Sequence, residues 1–340
     1  MRRISLASLL VLAAAAAPLR AQDIGSDLSV LAGPNAQGYV GPLARGLGHA
    51  LTAGLVSSAD PHGMLGFSIG VRVMGAMFPE EDKTFLVTTP ASVTYTPNAI
   101  IGQKAYTNPY GPSNTLSSAT VAGEGAGVVL APQGQFRTDL LLAGQNPNNF
   151  NIAFPKGVNL PLAPFGVIDA AVGIGFGTQI MARMIPTFNA GKAVGVDEVG
   201  DISAFGLGIM HNLTQWLPIP TPFWDVSVTA GTQKLSVGDY LEAKGNTIGL
   251  IASAGVGPLS VYAHGSSYKS DVDLDYTVKN PNNNPGLPAN GTKVAFTQAI
   301  DRTQRVALGA QLNLLILKLS GEYGIGDYNT VSGRVAIGFE

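Results

Sequence analysis

Residues 64–77, Met-Leu-Gly-Phe-Ser-Ile-Gly-Val-Arg-Val-Met-Gly-Ala-Met, decide the fold. Leu65, Phe67, Ile69, Val71, Val73 and Met77 point one way; Ser68, Gly70, Arg72 and Ala76 point the other. Alternation sustained this long is the period of a half-buried strand, not of a helix. It returns at the far end. Val306, Leu308, Ala310 and Leu312 alternate with Arg305, Ala307, Gly309 and Gln311. Leu315, Leu317, Leu319 and Tyr323 alternate with Ile316, Lys318, Ser320 and Glu322, and Val331, Val335, Ile337 and Phe339 with Ser332, Arg334, Ala336 and Gly338. Segments of the same kind lie at 160–174, 176–184, 202–211, 223–234, 246–254, 259–278 and 293–312, with looser alternation at 84–95 and 119–131. The pattern predicts about twelve strands, within a range of about ten to fourteen.

What the apolar alternates meet follows from composition. Of 340 residues only 12% are charged, with 43 Gly and 22 Pro, against about 25% charged in ordinary globular chains. The polar alternates are mainly Gly, Ala, Ser, Thr and Gln, which cover a water-facing sheet poorly and suit the lumen of a barrel. Arg72, Arg183, Lys318 and Arg334 all fall at the parity opposite the apolar set. A cation on the lipid side would cost about 2–4 kcal/mol at mid-depth. The expected fold is therefore all-β: a closed, antiparallel, up-and-down transmembrane barrel. A secreted or periplasmic β-rich binding protein is the alternative. Zero Cys excludes disulfides, thiolate metal sites and thiol catalysis. The balance of 20 basic against 22 acidic residues gives no footprint for nucleic acid.

The N-terminus carries Arg2 and Arg3, an apolar run from Leu6 to Ala17, and Leu19-Arg20-Ala21 before Gln22. That is the layout of a secretory signal peptide over residues 1–21, cleaved near Ala21. The run is shorter than the roughly 20 apolar residues of a spanning helix. Residues 22–62 form an N-terminal segment, with a short helix expected over 39–56 despite Gly41, Pro42, Gly46, Gly48 and Gly54. The barrel is expected over 63–340. Tight turns are predicted at Gly173-Ile174-Gly175, Gly255-Val256-Gly257 and Asn313-Leu314, and long loops at the opposite end over 132–159, 188–201, 235–244 and 279–290. Two long connections, 99–117 and 213–222, fall on the short-turn side. Short turns at one end and long loops at the other are the outer-membrane arrangement. The ending Val335, Ile337, Phe339, with Glu340 behind it, resembles the C-terminal signal read by barrel-assembly machinery.

Chemistry-bearing motifs are few. Gly66-Phe67-Ser68-Ile69-Gly70 matches the G-x-S-x-G elbow of hydrolases, but the alternation runs straight through Ser68 where that chemistry needs a strand–turn–helix corner. An envelope hydrolase using Ser68 with His211 or His264 is carried as a third reading. Asp271, Asp273 and Asp275 share one face of a strand and are the metal candidates, although Tyr276 and Asn282 break the EF-hand pattern. The four His share no ligand spacing. The candidate binding residues are those predicted to line the lumen: Arg72, Gln179, Arg183, Lys318, Glu322 and Arg334. Charges confined there are expected to pair, for instance Lys318 with Glu322. No cofactor is implied.

Arg183-Met184-Ile185-Pro186, then residues 206–218 (Gly-Leu-Gly-Ile-Met-His-Asn-Leu-Thr-Gln-Trp-Leu-Pro), Asp225-Val226-Ser227-Val228 and Gln233-Lys234-Leu235 carry a resemblance. With them the chain resembles an uncharacterised family of exported bacterial proteins regarded as outer-membrane barrels. The likeness runs from about Tyr39 to the C-terminus and is strongest from Arg183 to Glu242. It implies a barrel and the cell envelope; the family brings no catalytic residues. A looser resemblance is to long-chain fatty-acid channels of the outer membrane, which place a small plug before the barrel, as 39–56 would. This chain lacks their Asn-Pro-Ala at the mature N-terminus. The expected function is a monomeric outer-membrane barrel, in contact with membrane lipid and not an enzyme. Its role would be structural, or the passive passage of a small molecule of hydrophobic character.

Overall fold

The computed structural model describes residues 31, 33–189, 200–218, 223–278, 280 and 283–339. The expected signal peptide, its expected cleavage point and most of the loop at 188–201 lie outside them. The first regular element among the described residues is helix α1, Pro34–Leu51, which has Pro at its first turn and buries Tyr39, Val40, Ala44, Ala50 and Leu51. A segment of turns and bends follows. Strand β1, Phe67–Met77, then starts the wall.

Between β1 and the next wall strand the chain builds a cap. Its pieces are short: β2 Thr84–Leu86, β3 Ser92–Tyr95, β4 Lys104–Thr107, β5 Ser117–Ala119, β6 Val129–Leu130, helix α2 Gly134–Leu142 and β7 Ile152–Ala153. They pair as β2 with β5, β3 with β4 and β6 with β7, apart from the barrel. The cap has its own apolar core, in which Val87, Val93, Tyr106, Tyr110, Phe136 and Leu140 meet Leu31 and Tyr39 at the head of α1.

The wall continues through β8 Leu162–Gly175, β9 Thr178–Asn189, β10 Asp201–Asn212, β11 Trp224–Val237, β12 Leu241–Val256, β13 Leu259–Thr277, β14 Lys293–Leu314, β15 Leu317–Ile325 and β16 Thr330–Phe339. Each pairs antiparallel with its neighbour, and β1 pairs with both β8 and β16. Among the described residues ten strands thus close a barrel, with residues 293–305 of β14 running on past β15, paired with β13 alone. Where it is closed, the ladder satisfies its hydrogen bonds within the wall, the condition for a sheet in lipid. Phe67, Ile69, Val73 and Met77 face outward, while Ser68, Arg72, Met74 and Ala76 are buried inside.

The count is ten instead of twelve because the segments at 84–95 and 119–131 went to the cap. Period two reports a half-buried strand and does not say which core buries it. The helix is one turn earlier than the expected 39–56, and it lies inside the lumen, against β1, β8, β12, β13 and β14. Residues 99–117 belong to the cap, at the end opposite the short turns. The expected long loop at 235–244 is a tight turn, since β11 and β12 run on to Val237 and Leu241. The turn placed at Asn313-Leu314 falls at Leu315-Ile316 instead.

The plug threads the whole lumen. Asn35 bonds Thr88 and the Tyr39 hydroxyl donates to the Lys156 carbonyl, both in the cap. At the other end the Leu65 amide donates to the Gly173 carbonyl beside the short turns. No helix among the described residues is long and apolar enough to cross a membrane.

Asp139 anchors the cap. It accepts hydrogen bonds from Lys104 Nζ at 2.8 Å, Gln135 Nε2 at 2.7 Å and the Tyr106 hydroxyl at 3.0 Å. Those donors, Lys104 foremost, hold its carboxyl below the ordinary carboxylate range; burial, then Asp139, pushes the Tyr106 phenol up to about 12. A carboxyl whose folded value is depressed stabilises the fold above its unfolded value and loses that contribution as pH falls through the folded one. Amide exchange in β4 and α2 is therefore expected to rise, relative to the barrel strands, as pH drops below about 4. Asp139→Ala should show the faster exchange at neutral pH and no such acid step.

Candidate functional site

Sequence sets the interior by parity, and closure of the wall at β1 then gathers it. Arg72 on β1 stands opposite Arg334 on β16, and Gly70 opposite Asp169 on β8. Asp169 lies between the two guanidiniums. Arg72 Nε donates to its Oδ2 at 3.0 Å, and Arg334 Nε donates to Oδ1 at 2.9 Å and Oδ2 at 2.8 Å. All three side chains are buried. The Arg72 Nη2 also donates to Ser57 Oγ of the plug at 2.9 Å. Ser57 is further held by Ser320 at 2.9 Å.

Two more arginines grip the plug, Arg183 from the position on β9 opposite Asp169 and Arg305 from β14. Arg183 donates to the carbonyls of Ala53, at 3.1 Å, and Gly54. Arg305 donates to those of His49 at 3.2 Å and Thr52 at 2.6 Å, with its guanidinium 4.6 Å from the Tyr268 ring centre. The His49 and Thr52 carbonyls lie at the C-terminal end of α1, carry the negative end of its dipole and lack backbone partners inside the helix, while those of Ala53 and Gly54 follow just beyond it. The plug thus supplies the acceptors that the wall's cations require, and the wall caps the helix. A buried charge must be matched in this way or be expelled.

A cavity of about 270 Å³ lies beside the lower part of the plug, residues 55–62, toward the short turns. Arg72, Gln179, Arg183, Lys318 and Arg334 line it, so five of the six predicted residues share one chamber. Glu322, the sixth, is buried in the wall. The acid that ties the arginines is Asp169, which parity alone could have flagged: Val167, Asp169 and Ala171 alternate on the inward side of β8. Leaving the lumen, the plug places His62 at the cavity wall, its Nε2 2.9 Å from Ser68 Oγ and its amide donating to Gln179 Oε1 at 3.0 Å. Arg334 Nη2 donates to the same Ser68 oxygen at 3.1 Å. His62 sits in Asp-Pro-His-Gly, which has no period to read.

The other candidates lie elsewhere. His264 is buried in the wall beside Thr229, and His211 sits at the short-turn end against Thr178. Asp271, Asp273 and Asp275 are on the outer side of β13, and Asp273 accepts from Thr297. No cluster of metal-ligating side chains occurs among the described residues.

A family profile described as "Family of unknown function (DUF6588)" matches residues 1–339. No curated protein matches the chain. Among solved structures, the in-vitro folded trimer form of OmpT, an outer membrane protein of Vibrio cholerae, is 13% identical, covering 82% of this chain and 100% of that one at a TM-score of 0.25. LpxR from Salmonella typhimurium is 8% identical over 79% and 99% of the two chains, at 0.30. The CymD monoaromatic hydrocarbon channel is 11% identical over 88% and 97%, at 0.21. Likenesses this distant leave the role of the barrel to be read from its own residues.

Proposed function

The chain belongs to the DUF6588 family, a family of unknown function, and we propose that it is a plugged β-barrel of the bacterial outer membrane. In this reading the cleaved leader exports it, the short turns face the periplasm and the cap faces outward. The strand ending at Phe339 engages the assembly machinery, and the barrel stands as a monomer in lipid. Its lumen is closed at rest by residues 34–66, so a small solute crosses only when that segment moves. The cavity at the short-turn end is where a solute arriving from the periplasm meets Arg72, Lys318 and Arg334.

One observation carries this reading: the wall is apolar outside and charged inside, the reverse of a soluble domain. Ile69, Leu207, Ile209, Leu250, Leu308 and Ile337 are each about half exposed on the outer face. That much contiguous apolar surface would drive aggregation in water. The protein should remain in the membrane fraction and, in detergent, migrate differently before and after boiling. Release by osmotic shock as a soluble monomer would sink the proposal and leave the secreted binding protein.

A second reading is favoured by the contact between Ser68 and His62. Arg334 can only donate to Ser68 Oγ, which leaves the hydroxyl hydrogen for His62 Nε2. The pair can then add Ser68 Oγ to an acyl carbon, with the proton passing through His62 to the leaving alcohol and the Arg334 guanidinium facing the oxyanion. Water would then release the acid by the same route. A fluorophosphonate probe should label wild type, lose all labelling in Ser68→Ala and nearly all in His62→Gln. An unlabelled wild type ends this reading and leaves the contact as an anchor for the plug.

A further inference from the structure

We infer that the short-turn end of the barrel is immersed in the periplasmic leaflet, with its turn tips among the lipids instead of in the periplasm. This rests on the outer-membrane reading above and goes beyond it by fixing where the bilayer sits.

Register lines up the outer face of four neighbouring strands. From the short-turn end upward, β12 presents Val256, Ala254, Ala252, Leu250 and Ile248, and then Asn246 and Lys244. Beside it β11 runs from Trp224 to Ala230 before Thr232 and Lys234, and β13 from Leu259 to Gly265 before Ser267 and Lys269. Strand β14 is apolar from Leu314 to Val306, with Gln304 next. The apolar stretch on β12 therefore rises only about 20 Å along the axis at ordinary strand rise and tilt. A barrel in a bilayer carries a band of about 25 Å. The missing height cannot come from above, where Lys234, Lys244 and Lys269 begin and Glu242 ties the first two together.

It is present below. The described residues of the connections at the short-turn end, 61–66, 175–177, 213–218, 223, 257–258 and 315–316, contain no Asp, Glu, Lys or Arg. Their tips are large and apolar: Leu315 is 98% exposed, Phe176 87%, and Met64 and Leu65 77% each. Trp216 and Phe223 stand beside them, also exposed. Turns that project into water have no reason to present such side chains. Aromatic and aliphatic tips continuous with the belt, and without a charge among them, match the boundary between headgroups and acyl chains. Lipid is the occupant the geometry favours because at this end the strands are paired on both sides and leave no sheet edge for a protein strand.

The test uses the absence of Cys from the chain. Val256→Cys, Phe176→Cys and Leu315→Cys report the tips, Ile209→Cys the middle of the belt and Lys269→Cys the region above it. Each is labelled with bimane and placed in phosphatidylcholine vesicles with or without brominated acyl chains. Brominated lipid should quench the three tip labels to the same fraction as Ile209 and leave Lys269 unaffected, while aqueous iodide quenches only Lys269. Quenching at Ile209 with tips open to iodide would overturn the inference and keep the membrane reading. Tips shielded from both quenchers would overturn it in favour of a covering protein. An Ile209 label that brominated lipid does not quench would end the membrane reading itself.

Discussion

Asp169→Asn is expected to abolish the folded, heat-modifiable form of the protein or to lower its denaturation midpoint severely. Asp169 is the shared carboxylate of Arg72 and Arg334, which are direct register neighbours on β1 and β16. Asn keeps the volume and one acceptor but removes the charge. Two guanidiniums would then face each other across a strand pair with water largely excluded, since Arg72 is 2% and Arg334 8% exposed. Removing one partner of a buried ion pair costs about 3–5 kcal/mol, against a total stability of about 5–15 kcal/mol for a typical domain. The position magnifies the loss, because Asp169 holds both seams by which β1 closes the wall. Arg334→Gln added to Asp169→Asn should recover part of the midpoint by removing the repulsion, which a mere packing defect at residue 169 would not allow. The measurement is a urea titration of the unboiled band in detergent. An unchanged midpoint for Asp169→Asn would mean that the cluster is fully hydrated and carries no energetic weight.

The same cluster marks how far the sequence could be read. Period two delivered the wall almost strand for strand: the alternation at 65–77 became β1 at Phe67–Met77, with Arg72 inside and Ile69 outside. Parity likewise placed Arg183, Lys318 and Arg334 indoors. The cap was not legible as a separate unit, because Val87, Val93, Val121 and Leu130 alternate as wall residues do, yet pack into a second core. The segment in the lumen was expected as a short helix over 39–56, but its bounds and packing were blurred for a different reason. Gly41, Pro42, Gly46 and Gly48 weaken a helix on its own, and they are tolerated here because the lumen wall leaves room for little else. Contacts between distant segments, such as Arg305 with the Thr52 carbonyl or His62 with Ser68, leave no periodic trace at all.

That tightness makes the plug the place where a small change should have the largest functional effect. Gly46→Leu combined with Gly48→Leu is expected to unseat α1 and turn a quiet barrel into a conducting one. A Cβ at residue 48 would lie 2.6 Å from Ile300 Cδ1 and 3.0 Å from Ser270 Oγ, and one at residue 46 would lie 2.7 Å from Ala163 Cβ and 2.9 Å from Phe78 Cε1. Each Leu brings three further carbons into that space, and overpacking of this kind costs about 1–3 kcal/mol per site. Either the wall or the helix must yield. The wall is a closed ladder whose every strand is paired on both sides, so spreading it breaks hydrogen bonds that lipid cannot replace. The helix has 18 residues but carries Gly41 and Pro42 inside it, which water alone would not sustain, and its hold on the wall is the Arg183 and Arg305 contacts at its end. Charged hydrogen bonds are worth about 1.5–3 kcal/mol each, comparable with the strain from two leucines. The plug should therefore give way first, and Arg183→Gln added to the leucine pair should make it do so completely. In planar bilayers wild type should show little conductance, the leucine pair frequent openings and the triple variant a steady current, with trypsin cutting at Arg45 in the same order. Unchanged silence and an uncut Arg45 in the triple variant would show that the lumen has slack the helix does not fill, and closure by the plug would then be abandoned.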